Sequence, residues 1–590
     1  MLNVIVTLRK RTEKGKLTVM EKCNLNLIKD FLANAVLAAG FEVDLNDLNL
    51  EKTKTLEHGH FSTNIAMLLA GKQKKNPREV AETILTHLHS EFLEKAEIAG
   101  PGFINLWIEQ KFYTNQTQHL IQNFDTYLKN SFDEKNQKTM VIDYSHPNIA
   151  KPMGVHHLLS TIIGDSLKKI YRRYGWKVVA DNFIGDMGTQ FGKLMHAIKT
   201  WGDLEEIEKN PIPTLHKLYI QFHDKAEGDE KLDDEGRAEY KKFEEGDSES
   251  RLMWEKIRRW SLQEIQPIYD QLEIEFDAMN GESFYEDKMQ PILTEGREKG
   301  IIVDGEKGAW IIPGETAEET PVLVRKSDGT TIYATRDLAR TQYWEETWHP
   351  DLMVMVTDMA QAFHFKQVFF AIHKLGLTDA LNVNVNFGRM LGMSTRKGKL
   401  VLLTELLEEA EIRARELVQE KAMELSEEEK NHLAQLMSIN SIKYNILSQN
   451  RTTDLNFDWD KMLSFEGNSA PYLMYTLARA KSILRKAGVT IPEGAQFDLN
   501  LNSDLEMKVA IQTLMYPEAI KRAKDDFKPN HIANYLYELA SDFNSFYNGN
   551  SILQAESEAL KNSRLLLTTA VIKVMEDGFG LLGMKVAEKM

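Results

Sequence analysis

Apolar positions along the chain change period several times, and each change marks an element. Over residues 25–41 they recur at helical spacing (Leu27, Ile28, Phe31, Leu32, Val36, Leu37), which predicts an amphipathic helix. A second helix is expected over 76–93, with Asn76 as its cap, Pro77 at the first position and acids in the opening turns. AGPGFINLWI (99–108) then turns through glycines and a proline into an alternating strand. Residues 113–138 are polar and end in a Gln/Asn/Lys-rich run, the texture of a linker. From Met140 a β-branched and apolar run ends in the turn Ser145-His146-Pro147-Asn148. A helix is expected from about His157 to Tyr174, Gly175 stops it, and WKVVADNFI starts another strand.

Strand, helix, strand is a βαβ unit, which belongs to a parallel sheet with ligands at the carboxyl ends of its strands. Further strands are expected at 321–325, 352–357 and 383–387, so a doubly wound domain covers about 140–390. Within it, residues 225–251 interleave acids with bases, which reads as a solvated helical hairpin and not as a metal site. Beyond about Thr404 the pattern is helical to the end. The fold class is therefore multidomain α/β. A small α+β N-terminal domain (23–115, after a leader at 1–22) precedes a Rossmann-like parallel-sheet domain (138–435, with an insertion at about 205–260). An all-α bundle (436–590) follows.

Composition narrows the function classes. With 72 Lys and Arg against 88 Asp and Glu, the net charge is −16, which disfavours non-specific coating of nucleic acid or membrane. It leaves room for local basic patches. One cysteine, Cys23, excludes an intrachain disulfide framework. No apolar run reaches the roughly 20 residues of a membrane span. The start, MLNVIVTLRKR, has the reverse order of a signal peptide. These features point to the cytoplasm and to no membrane partner.

Three stretches carry candidate chemistry. Gly154-Val155-His156-His157 opens the helix after the first strand, where free backbone N–H groups and the helix dipole favour anions; taken alone, the histidine pair reads better as a helix cap or as packing against an aromatic. Gly185-Asp186-Met187-Gly188 follows a strand, where glycine permits close approach and Asp186 offers a carboxylate to a hydroxyl or amine, although such turns are common. Gly392-Met393-Ser394-Thr395-Arg396-Lys397-Gly398 places hydroxyls and cations on a glycine-bounded loop, either a phosphate clamp or a solvated basic loop.

In this order, the three stretches resemble the class I aminoacyl-tRNA synthetases, and the surrounding segments narrow the resemblance to the arginyl-tRNA synthetase family. Residues 145–194 (IAKPM, STIIGDSL, NFIGDMGTQFGKL), Gly281-Glu282-Ser283, Tyr333-Ala334-Thr335-Arg336-Asp337, Gln361-Ala362-Phe363-His364-Phe365 and the MSTRKG loop carry it. HGHFSTNIA and AGPGFIN resemble that family's additional N-terminal domain, and FDWDKMLSFEGNSAPYLMYTLARAKSI its helical anticodon-binding domain. The likeness runs from about residue 25 to the closing GLLGMKVAEKM, which suggests a complete chain.

The resemblance implies an arginine–tRNA ligase that forms arginyl-adenylate from arginine and ATP and transfers the arginyl group to the 2′-hydroxyl of the terminal adenosine of tRNA(Arg). The ATP site would comprise Gly154, His156, His157, Gly185 and Asp186, with Ser394, Thr395, Arg396 and Lys397 clamping pyrophosphate. The arginine site would comprise Glu282 and Asp337 for the guanidinium, Tyr333 closing the pocket, and Asn148 and Gln361 at the backbone end. Cations at Lys72, Lys74, Lys75 and Arg78, and at Arg479, Lys481, Arg485 and Lys486, are the expected tRNA contacts. Magnesium would arrive with ATP, with no metal held by the protein itself, and the chain would act as a monomer. One departure stands out: the family's first motif reads His-(Ile/Val)-Gly-His, whereas here glycine and histidine have changed places at Gly154 and His156. A catalytically silent tRNA-binding paralogue is the alternative that this exchange raises.

Overall fold

The computed structural model describes residues 25–42, 44, 48–132, 137–149, 151–316, 318–392, 402–488 and 499–590. It divides into two compact units: Met1–Asp133 with Thr476–Lys521 and Tyr535–Glu576, and Glu134–Tyr475 with Arg522–Asn534 and Asp577–Met590. In the first, α1 (Leu25–Ala38), β1 (Glu51–Lys52), β2 (Phe61–Thr63), α2 (Ile65–Gln73), α3 (Pro77–Leu85), β3 (Leu93–Ala99) and β4 (Phe103–Ile108) form helices around an antiparallel sheet of order β1-β2-β4-β3. Asn76 caps α3 by accepting the Arg78 N–H at 2.9 Å. The helix ends at Leu85, short of the expected residue 93, because Leu93 already pairs with Ile108 in the sheet.

The expected linker is corrected. Residues 110–131 form α4 (Gln110–Gln122) and α5 (Phe124–Ser131). Their polar composition hides a narrow buried stripe of Phe112, Tyr113, Gln116, Thr117, Leu120 and Ile121.

The second unit is built on β5 (Thr139–Asp143), α6 (Val155–Arg173) and β6 (Lys177–Asp181), the predicted βαβ unit. Gly175, at φ +102°, ends α6 as expected. The helices α7 (Thr189–Trp201), α8 (Leu204–Lys209), α9 (Pro211–Ala226), α10 (Glu230–Glu244) and α11 (Ser248–Leu272) follow, and α10 is the charged stretch read as a hairpin arm. Its acids are not all solvated: Asp233 pairs with Lys193 at 2.6 Å and Glu239 with Lys199 at 2.9 Å, both on α7.

After α12 (Glu286–Glu298) come β7 (Val303–Asp304), β8 (Trp310–Ile312) and β9 (Val322–Arg325). These form an antiparallel sheet of their own, so the strand expected near 321–325 exists but lies outside the parallel sheet. Four residues of alternating burial carry no information about strand direction. Then α13 (Tyr333–Trp348), β10 (Leu352–Asp358), α14 (Ala362–Leu375), β11 (Leu381–Phe387) and β12 (Met390–Leu391) lead into α15 (Leu403–Lys421) and α16 (Glu427–Leu447). β13 (Leu455–Asn456) pairs with β12 and α17 (Trp459–Met462) follows. The remaining helices are α18 (Ala470–Ala487), α19 (Asp504–Leu514), α20 (Tyr516–Asp525), α21 (Asn530–Gly549) and α22 (Glu558–Leu581).

The parallel sheet runs β11-β10-β5-β6. Its central strands β5 and β10 are buried almost throughout, as strands covered on both faces must be. The chain leaves β5 toward β6 on one side and returns at β10 on the other. The order therefore reverses between β5 and β10, and the crevice at their carboxyl ends is where such sheets receive ligands.

Candidate active site at the carboxyl ends of β5 and β10

The loop after β5 is held in an unusual backbone. Ser145 and His146 have φ of +84° and +52°, a left-handed conformation that costs a non-glycine residue on the order of 1–3 kcal/mol. Surrounding bonds over-determine it. The Ser145 N–H donates to Ser160 Oγ at 3.0 Å, its Oγ lies 2.7 Å from Tyr269 Oη, and the His146 N–H donates to Asn182 Oδ1 at 3.2 Å. Further along, the Gly185 N–H donates to Pro147 O and the Ile149 N–H to Gly185 O, at 3.0 and 3.2 Å. A Cβ at Gly185 would stand 2.3 Å from Asn148 Oδ1, so glycine is what lets Asn148 lie against the β6 side of the crevice.

Gly154 caps α6 and its N–H donates to His157 Nδ1 at 3.2 Å. Because Nδ1 accepts, the ring proton sits on Nε2. Burial pushes the imidazole down to about 3, so the ring is a neutral donor at the amino end of a 19-residue helix. The His156 ring lies 3.9 Å from it, centroid to centroid. His156 is also lowered by burial, against the pull of the Asp358 carboxylate at the end of β10. Ser394, Thr395, Arg396 and Lys397 lie outside the described residues. Of the residues that follow, Leu402 bridges to Gly154, and the Leu403 N–H donates to Met153 O at 2.9 Å.

Glu282 begins a short turn beside β6. Its N–H donates to Ile184 O at 3.0 Å, and Ile184 bridges to Gly281. The side chain is 7% exposed. Burial pushes it up to about 7, with Arg336 lowering it and Asp186 and Asp337 raising it further. Asp337 projects from α13, where Oδ2 accepts from His364 Nε2 at 2.7 Å. Tyr333, one turn earlier, is 68% exposed, with the Arg336 guanidinium 5.8 Å from its ring centre. Gln361 is exposed at the start of α14, on the chain that supplies His364. Glu282, Arg336 and Asp337 are thus within electrostatic reach of one another, and Tyr333 and His364 adjoin Arg336 and Asp337.

The expectation for Asp186 is corrected. Its carboxylate is fully buried and already taken: it accepts from the Ser283 N–H at 2.9 Å, Ser283 Oγ at 2.8 Å and Arg258 Nε at 3.3 Å. A Cβ at Gly281 would stand 2.1 Å from Asp186 Oδ2. Asp186 therefore holds up the Glu282 turn instead of facing a ligand.

Among the basic residues, Lys72, Lys74, Lys75 and Arg78 are all exposed across the α2–α3 turn. Arg485 and Lys486 are exposed at the end of α18. Arg479 donates to Asn544 Oδ1 at 3.0 Å, and Lys481, 14% exposed, pairs with Glu576 at 2.7 Å. Lys481 is thus engaged in an ion pair within its own unit. Sequence reasoning missed Arg336, Arg340 and His364; Arg336 and His364 stand inside quoted motifs, and Arg340 lies three residues beyond Asp337, a helical spacing that pairs opposite charges.

No described helix is long and apolar enough to cross a membrane. No group of three or more His, Cys, Asp or Glu that could hold a metal occurs among the described residues.

The chain is similar to known proteins over most of its length. The family model for the catalytic domain of class I tRNA synthetases (R) matches residues 118–459, the arginyl tRNA synthetase N-terminal domain matches 26–108, and the DALR anticodon binding domain matches 473–590. A curated arginine–tRNA ligase of Fusobacterium nucleatum is 41% identical over 90% of this chain and 93% of its own length. One from Exiguobacterium is 37% identical over 94% and 98%. The crystal structure of arginyl-tRNA synthetase from Plasmodium falciparum superposes with a TM-score of 0.82 at 26% identity, covering 96% of this chain and 99% of that one. The chain belongs to the arginyl-tRNA synthetase family.

Proposed function

We propose that the chain is an arginine–tRNA ligase, an aminoacyl-tRNA synthetase that uses ATP as a substrate. The observation that supports this reading is the electrostatic coupling of two carboxylates, Glu282 and Asp337, in the same domain whose α6 carries His157 in its first turn. A planar guanidinium with five donors is matched by two facing carboxylates, and a triphosphate by a helix amino terminus with a neutral N–H donor.

In the first step the arginine carboxylate attacks the α-phosphorus and pyrophosphate leaves. In the second, the 2′-hydroxyl of the terminal adenosine attacks the activated carbonyl and releases AMP. Both steps depend on positioning and on charge stabilisation. Glu282 and Asp337 take the guanidinium, Tyr333 covers it, and Asn148 and Gln361 hold the amino-acid backbone. His157 Nε2–H donates toward phosphate, with Gly154, His156 and Gly185 shaping the nucleotide side. Ser394, Thr395, Arg396 and Lys397 clamp pyrophosphate, and magnesium enters bound to ATP. The exposed Lys72, Lys74, Lys75, Arg78, Arg485 and Lys486 meet tRNA(Arg) phosphates. The enzyme works in the cytoplasm as a monomer.

Charging tests the reading. Labelled arginine should attach to tRNA(Arg) and not to the same tRNA ending in 2′-deoxyadenosine. A chain that binds tRNA(Arg) yet charges neither would be the silent paralogue.

A further inference from the structure

We infer that Arg340 is a positioning residue of the arginine pocket, acting through Asp337. On α13 the two residues are three apart and share a face. Arg340 is 1% exposed, and its Nη2 donates to Asp337 Oδ1 at 2.8 Å. Its Nη1 donates to Asp143 Oδ2 at the end of β5. The guanidinium carbon lies 4.4 Å from the centre of the Phe183 ring and 4.9 Å from that of Trp344, so the fork is stacked as well as bonded. Asp181 faces the same cation while accepting from Trp344 Nε1 at 3.0 Å.

One buried cation thus answers three carboxylates and reaches two of them at once. A lysine offers a compact ammonium instead of a planar fork, so it does not reproduce this spread, stacked geometry. With Oδ1 fixed by Arg340 and Oδ2 by His364, the Asp337 carboxylate has one available orientation, and each oxygen keeps a second lone-pair site for an incoming N–H. Displacing such a group by about 1 Å is enough to spoil recognition. A buried ion pair that served only as scaffold would make the same contacts, and the two roles separate by which ligand's binding weakens.

This inference rests on the arginine-pocket reading above. The experiment is calorimetric binding of arginine, and separately of ATP, to the full-length chain with tRNA(Arg) present. It compares wild type with Arg340→Lys and with the double variant Arg340→Met/Asp143→Asn, which leaves the buried net charge unchanged should the single variant fail to fold. Each folded variant should bind arginine at least tenfold more weakly, with ATP affinity within about threefold of wild type. Equal weakening for both ligands, or arginine binding like that of wild type, overturns the role of Arg340. A wild-type chain that binds no arginine overturns the pocket itself, and Arg340's role with it.

Discussion

At the residue scale, the proposed arginine pocket turns on two carboxylates and their state of charge. Glu282 is raised to about 7 by burial, and the like charges of Asp186 and Asp337 act in the same direction, against Arg336 and a bond from the Met187 N–H. An arriving guanidinium favours the ionised form. Arginine binding therefore releases a proton when Glu282 starts protonated, and affinity should fall as pH drops below about 7. The KM for arginine is expected to rise from pH 8 to pH 6 while the KM for ATP changes little. Glu282→Gln should flatten that pH dependence and raise the arginine KM throughout. Asp337→Asn removes one charge-assisted hydrogen bond and should lower kcat/KM for arginine by about 1.5–3 kcal/mol. Unchanged steady-state kinetics in that variant would take Asp337 out of the pocket.

At the element scale, α13 does most of the gathering, since Tyr333, Arg336, Asp337 and Arg340 all stand on its first two and a half turns. The turn 281–284 carries the second carboxylate of the proposed pocket and depends on the missing side chain at Gly281. Gly281→Ala forces Asp186 or the turn to move and should destabilise the protein by about 1–3 kcal/mol, read as a lower denaturation midpoint, with loss of arginine affinity. The βαβ unit and its turn are legible in the sequence because strand, glycine stop and helix period agree with one another. The helices at 110–131 are not, because Gln116 and Thr117 are buried polar residues on an otherwise narrow apolar face. Asp186 misleads for a related reason: a Gly-Asp turn has the same spelling whether its carboxylate faces a ligand or, as here, a serine and an arginine of the fold.

At the scale of the whole molecule, a net charge of −16 and an anionic partner are reconciled by distribution. The exposed cations lie in small groups, and binding through them should be strongly salt-dependent. Replacing both Arg485 and Lys486 by Gln should weaken tRNA(Arg) binding and reduce the log–log salt slope by about 0.7–0.9 for every phosphate no longer neutralised. A slope equal to that of wild type would remove them from the interface. The family's sequence likeness runs through all three matched segments, and the sequence departs from the family's first nucleotide motif at the exchanged pair Gly154 and His156. With Gly154 bonded to His157 and the His156 ring against it, the helix still presents a neutral Nε2–H donor, which is the basis for expecting activity. The most direct test is ATP–pyrophosphate exchange by the wild-type chain with single amino acids, run with and without tRNA(Arg). Exchange that depends on arginine and is not supported by lysine or cysteine is the predicted result; no exchange under either condition, or exchange driven equally by lysine, would contradict it.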